Sequence, residues 1–242
     1  MTRYLVYLLI IALPVFAVAQ TQTNTPLTAE HVLLRHIETI GGVEKLSKIT
    51  DRTIKLSGTY DGAAVKIEIY QKAPDKYISK LFFGFLEQTI RYYDGKGIKS
   101  SPLGEETLEG DELLRLRLQA DILALTHLTQ LGIIPVLDSI VTIDHRACYK
   151  VKFVYPSGNF SSAFYDTASF YKVREESTVR TETEQFIQST VFSDFRQAGG
   201  LIYPYIFTQA IGDKKVISVV DTITINSGLN DSVFEENVSV DH

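Results

Sequence analysis

The sequence predicts a mostly β protein: one large antiparallel sheet of about eleven strands, curled so that helices cover its concave hydrophobic face. Three observations carry this expectation. From Asp51 almost to the C-terminus, apolar side chains recur with a period of two, which places them on one face of a strand. Short turn sequences separate these runs, and strands joined by short turns are antiparallel. Two segments repeat instead with helical period. One of these is apolar over more than half its circumference, more than a helix on the outside of a sheet needs.

Residues 1–19 read as an export signal. Arg3 is its positive start, Tyr4 to Phe16 is apolar apart from Pro14, and Ala17-Val18-Ala19 fits the small-x-small cleavage pattern. Cleavage after Ala19 leaves residues 20–242 as one domain, beginning with Gln20 and not with a lipid-anchoring cysteine. A polar leader, residues 20–25, precedes a helix that Thr25 or Thr28 can cap. Leu33, Ile37 and Ile40 share a face of that helix, with Leu34 beside them, and Gly41-Gly42 ends it. A short turn over Val43 to Lys48 leads into the sheet.

The first strands follow from alternation. Ile54, Leu56 and Gly58 alternate with Thr53, Lys55 and Ser57, and Val65, Ile67 and Ile69 alternate with Lys66, Glu68 and Tyr70. Asp61-Gly62 between them is a hairpin turn, and Asp94-Gly95 begins another. Tyr77 to Phe83 and Leu86 to Tyr93 are the next two strands, around Gly84. Residues 105–131 break the pattern. Glu105, Glu106, Glu109, Asp111 and Glu112 favour a helix N-terminus, Leu114, Leu118, Ile122 and Leu125 form a stripe, and Gly132 and Pro135 end it. The helix expected over 108–126 is a lid for the concave face. Seven further strands are expected from Ser139 to Ile225, the last hairpin turning at Gly212-Asp213.

Composition narrows the function. With 24 basic and 29 acidic residues the net charge is −5, and removing the export signal takes out only Arg3, so nothing supplies the basic stripe that nucleic acid requires. Cys148 is the sole cysteine, so no internal disulfide forms, and its place in an alternating run makes it a small buried side chain. His31, His36, His127 and His145 are scattered without metal-ligand spacing. There is no Gly-x-Ser-x-Gly elbow. Asp94-Gly95-Lys96-Gly97 lacks phosphate-loop spacing, and the Glu175-Glu176 and Glu182/Glu184 pairs read as solvated strand faces. No cofactor is called for. The informative residues are apolar and aromatic, with 13 Phe and 13 Tyr. What the helices leave uncovered can line a pocket for an acyl chain, each buried methylene yielding about 0.8 kcal/mol.

The order of segments resembles the periplasmic outer-membrane lipoprotein-sorting (LolA-like) proteins of Gram-negative bacteria. The carrying stretches begin with His36-Ile37-Glu38-Thr39-Ile40-Gly41-Gly42-Val43-Glu44-Lys45-Leu46 and Ile69-Tyr70-Gln71-Lys72-Ala73-Pro74-Asp75-Lys76. Tyr92-Tyr93-Asp94-Gly95-Lys96-Gly97, Phe192-Ser193-Asp194-Phe195-Arg196, Leu201-Ile202-Tyr203-Pro204-Tyr205 and Asp231-Ser232-Val233-Phe234 follow in order. The likeness is to a divergent branch of that group. It implies an unclosed antiparallel β-barrel lidded by helices around a hydrophobic cavity. It also implies a role in carrying lipoproteins or lipids through the periplasm. With no catalytic motif in the sequence, the expected protein is a non-enzymatic, monomeric carrier of acyl chains, working with membrane-bound donor and acceptor proteins. None of the family's cavity residues is carried over to a position here. Candidate cavity liners chosen by alternation and helical spacing are Phe83, Phe85, Tyr92, Leu114, Leu118, Ile122, Leu125 and Phe153. The alternative is a cell-envelope interaction or scaffold protein whose cavity is filled by its own side chains.

Overall fold

The period-two segments belong to one antiparallel sheet, which has 13 strands among the described residues. The structure is a computed structural model that describes residues 27–180, 185–211 and 214–235. The export signal, the leader, Glu182 and Glu184, and the Gly212-Asp213 turn lie outside the described residues. The first half of the sheet is β1 (Asp51–Tyr60), β2 (Ala63–Lys72), β3 (Lys76–Phe83), β4 (Leu86–Tyr93), β5 (Lys96–Ser101) and β6 (Gly104–Leu108). The second is β7 (Ile134–Ile143), β8 (Arg146–Val154), β9 (Phe160–Asp166), β10 (Lys172–Arg180), β11 (Gln185–Ala198), β12 (Leu201–Ile211) and β13 (Lys214–Ile225). The first and last strands, β1 and β13, pair at the middle of the sheet, and β6 and β7 are its two unpaired edges. The barrel is therefore open. Register shifts at Lys55/Leu56, Leu137/Ser139 and Lys172/Arg174 bend the strands that carry them.

This topology explains the lid. The chain must travel from the β6 edge to the β7 edge, and it does so through helix α3 (Gly110–Ala120) and two 3-10 turns, Ala124–Thr126 and Thr129–Leu131. The other helices are α1 (Ala29–Ile40), α2 (Val43–Leu46) and α4 (Ser232–Glu235). Thr28 caps α1, its hydroxyl accepting from the His31 amide at 3.2 Å. Gly41 ends the helix at φ 138°, where a β-carbon would come within 2.3 Å of Leu201 Cδ2, so only glycine fits. α1 buries Leu33 and Ile37 as expected and leaves Ile40 half-buried; Val32 is buried beside them, whereas Leu34 is 56 % exposed and faces outward.

Two expectations are corrected. Among the described residues there are 13 strands, not eleven: β5 is the second arm of the Asp94-Gly95 hairpin, and β6 forms where the sequence suggests the start of a helix. β6 carries Gly104, Glu105, Glu106 and Thr107, all exposed on a free edge, so it shows no apolar alternation. The helix also stops at Ala120 and not near residue 126. The Asp121 backbone is extended, and its carboxylate accepts from the Leu123 amide at 2.7 Å and meets His127 Nδ1 at 2.5 Å. Phe85 sits at the β3–β4 turn, outside both strands, as their expected bounds place it.

The outer face has its own packing. Cys148 is fully buried there with Phe164 and Val173, and burial raises its thiol pKa. Phe234 is also fully buried, where α4 packs on β3 and β4. Lys72 and Lys76 hold the Asp231 carboxylate at 2.7 and 2.6 Å, and this pairing lowers its pKa to about 2.

Candidate ligand site on the concave face

Strand register fixes which side chains share the concave face. Ile54 lies opposite Ile69, Leu56 opposite Ile67, and Arg52 opposite Gln71. Val65 lies opposite Phe83, Ile67 opposite Leu81, and Gln71 opposite Tyr77. Tyr77 faces Tyr92, Tyr92 faces Gly97, and Gly97 faces Leu108. In the other half Phe192 faces Phe207 and Val151 faces Ala163.

Helices cover this face at both ends. α3 sets Leu116 and Ala120 onto Tyr77, Tyr92 and Leu108. Its close approach needs Gly97, where a β-carbon would lie 2.9 Å from Leu113 Cδ1 and 3.1 Å from Leu116 Cδ2. Gly97→Val is expected to push α3 away and cost about 2 kcal/mol, read as a lower midpoint in urea at unchanged slope. At the far end α1 packs Ala29, Val32 and Leu33 against Val151, Phe153 and Tyr165, joined by Leu128 and Ile133 of the crossing segment. His36 is buried in this contact, with Nδ1–H donating to the Phe170 carbonyl at 2.9 Å and its ring 5.0 Å from that of Tyr165. Burial lowers its pKa to about 4 against the upward pull of that bond, and nearby Lys172 adds to the lowering.

Between the two covered ends lies an apolar cluster made of strand residues alone. Ile54, Leu56 and Val220 are its buried members, and Ile67, Ile69, Tyr205, Phe207 and Ile223 are half-buried against them. Tyr60 meets Phe83 edge-on at 5.6 Å, and Phe192 meets Phe207 likewise at 5.4 Å. No residue of the four helices belongs to this cluster.

A polar latch holds the end of α3 beside it. Gln71 is 1 % exposed, and its Nε2 donates to the carbonyls of Gln119 (2.9 Å) and Ala120 (3.0 Å). Arg52 donates to Gln71 Oε1 and to the Tyr203 hydroxyl (3.3 Å), while its buried Nε has no partner. Burial pushes the Tyr77 phenol beneath this helix up to about 12.

The expected liners divide among these zones. Phe83 stands half-buried on the concave face. Tyr92 and Phe153 are buried under the helices, and Leu114 and Leu118 are half-buried against the α1 core. Ile122 and Leu125 fall beyond α3, so they do not continue its helical stripe: Ile122 packs against the cluster of Leu46 and Leu201, and Leu125 bridges that cluster and the α1 core that Leu114 and Leu118 meet. Phe85 is 96 % exposed at the turn and does not face the concavity, because Gly84 at φ 60° turns the chain before it. The latch residues went unnoticed, although a signal existed: Arg52 shares strand parity with Ile54 and Leu56, and Gln71 with Ile67 and Ile69. A polar residue on an apolar face needs a partner. Among the described residues no group of three or more His, Cys, Asp or Glu side chains is placed to hold a metal ion.

Compared by sequence, the chain matches no family model and no curated protein. Compared by structure, it is similar to a DUF1329 family protein from Desulfovibrio piger, with TM-score 0.57 and 11 % identity over 86 % of this chain and 96 % of that one. A LolA superfamily protein from Nitrosomonas europaea gives TM-score 0.55 and 12 % identity over 87 % and 99 %. An outer membrane lipoprotein-sorting protein domain from Vibrio parahaemolyticus gives 0.56 and 8 % over 87 % and 98 %. At such identities the likeness is one of fold, and the fold is a divergent form of the LolA-like open barrel.

Proposed function

We propose that this protein is a non-enzymatic carrier that binds the acyl chains of a lipid or lipoprotein on its concave face. The observation that carries the reading is the strand-only cluster around Leu56, Ile67, Phe207 and Val220, left by α1 and α3 at the middle of the curled sheet. An acyl chain laid there gains roughly 0.8 kcal/mol per methylene without specific polar chemistry. Similarity in fold to an outer membrane lipoprotein-sorting protein domain supports the carrier reading, in which the protein acts between a membrane-bound donor and acceptor. In this reading residues 1–19 direct export, cleavage follows Ala19, and the carrier works as a monomer in the periplasm.

Titration of the purified protein with a fluorescent fatty acid tests the reading. Uptake is expected to saturate at one site, and Ile67→Glu is expected to weaken it at least about tenfold, because the chain would then lie against a desolvated carboxylate. A folded Ile67→Glu protein with unchanged uptake contradicts the assignment, with circular dichroism as the control for folding. A second reading, an envelope interaction protein, is favoured by one feature. Ile217 (52 % exposed) and Val219 (45 %) lie beside Ile206 on the outer face. That reading predicts no uptake at all.

A further inference from the structure

Residues of α2, the β2–β3 turn, the end of α3 and the crossing segment line a cavity of about 340 Å³. Its floor is apolar: Leu46, Ile49, Ile122 and Leu123 belong to the cluster built on Leu201 and Tyr203. Its rim is charged. Asp121 and His127 there satisfy each other. Asp75 and Arg117 line the same cavity, yet they do not pair with each other, and neither has an ion-pair partner among the described residues. One unpaired carboxylate and one unpaired guanidinium thus stand apart over an apolar floor.

We propose that this cavity recognises the head of a zwitterionic amphiphile. An ammonium group sits at Asp75, a phosphate sits at Arg117, and the first methylenes of the chain lie on Leu46, Ile49 and Ile122. The guanidinium fork matches phosphate geometry, and a single opposite charge at each end selects a molecule carrying both. The volume lies at the low end of the roughly 300–1,000 Å³ usual for ligand pockets, which suits a head group and the start of one chain. The inference rests on the carrier reading for the remainder of the chain, which the concave face takes up.

Calorimetric titration of the purified protein with three probes of equal chain length, each below its micelle concentration, tests this. Lysophosphatidylethanolamine carries both charges, lysophosphatidylglycerol only the phosphate, and an alkylammonium only the cation. The first is expected to bind at least about tenfold more tightly than the other two, since each charge-assisted contact is worth about that factor. Asp75→Asn should abolish the preference over lysophosphatidylglycerol. Arg117→Gln should abolish the preference over alkylammonium, and Arg117→Lys should retain part of it. Equal affinities for the three probes, or preferences that survive both substitutions, overturn the inference. Fluorescent fatty-acid uptake in the same samples separates it from the carrier reading. Uptake sensitive to Ile67→Glu but without head-group preference overturns this inference alone. Head-group preference with no Ile67-sensitive uptake overturns the carrier reading, and with it the placing of the chain, while keeping the head site. Absence of both overturns the two together.

Discussion

Gln71→Leu is expected to release α3 from the sheet and lower the melting temperature by roughly 6–12 °C, the equivalent of about 3 kcal/mol in a domain of this size. The substituted side chain keeps its volume but loses both donated bonds. It leaves the Gln119 and Ala120 carbonyls without that donor and removes an acceptor from Arg52. Each unsatisfied buried group costs about 1–3 kcal/mol, and the leucine recovers part of that through apolar contact. Gln71→Glu sharpens the test. It keeps an acceptor for Arg52 but sets a carboxylate against two carbonyl oxygens, so it should loosen α3 at least as much despite its charge. Hydrogen exchange over Gly110–Ala120 reads the result locally, and wild-type protection in both variants would show that the latch does not hold the helix.

Acid destabilisation centred on His36 is the second large effect. Its pKa is about 4 in the folded protein against an ordinary value of 6.5. Between those values the unfolded chain holds a proton that the folded protein refuses, so stability falls as the pH falls. The contribution is complete above pH 6.5 and is lost progressively down to pH 4, on the order of 3 kcal/mol in all. His36→Asn retains a donor near the Nδ1 position and cannot titrate. Its stability should be lower at neutral pH, because the smaller side chain leaves a gap beside Tyr165, but flatter across this window. Urea melts at several pH values read the slope. Parallel slopes for the two proteins would remove His36 as the cause.

Legibility in the sequence followed the range of the interactions. The turns were local and readable: Asp61 and Gly62 have φ 48° and 79°, and Asp94 and Gly95 have φ 50° and 73°, the double positive that Asp-Gly hairpins favour. Thr28 and Gly41 marked the ends of α1 for the same reason. The open sheet was readable because one apolar face runs along most strands. What failed depended on tertiary partners. β6 exists because β5 pairs with it, not because its own residues alternate. α3 stops at Asp121 without a glycine or proline, because that carboxylate finds the Leu123 amide and His127. The choice between a liner and a core residue was unreadable for Leu114, Leu118 and Phe153. Their spacing says that they are buried but not whether α1 or a ligand buries them.

Native mass spectrometry of the protein purified from the cell envelope, followed by extraction of whatever it carries, tests the central claim most directly. The account predicts a one-to-one acylated species that is lost when Ile67→Glu is introduced and that forms again when lipid is added back to the delipidated wild-type protein. A clean apo mass that persists in the presence of added lipids and acylated peptides would contradict it, and would mean that the strand-only cluster on the concave face serves the fold and not a ligand.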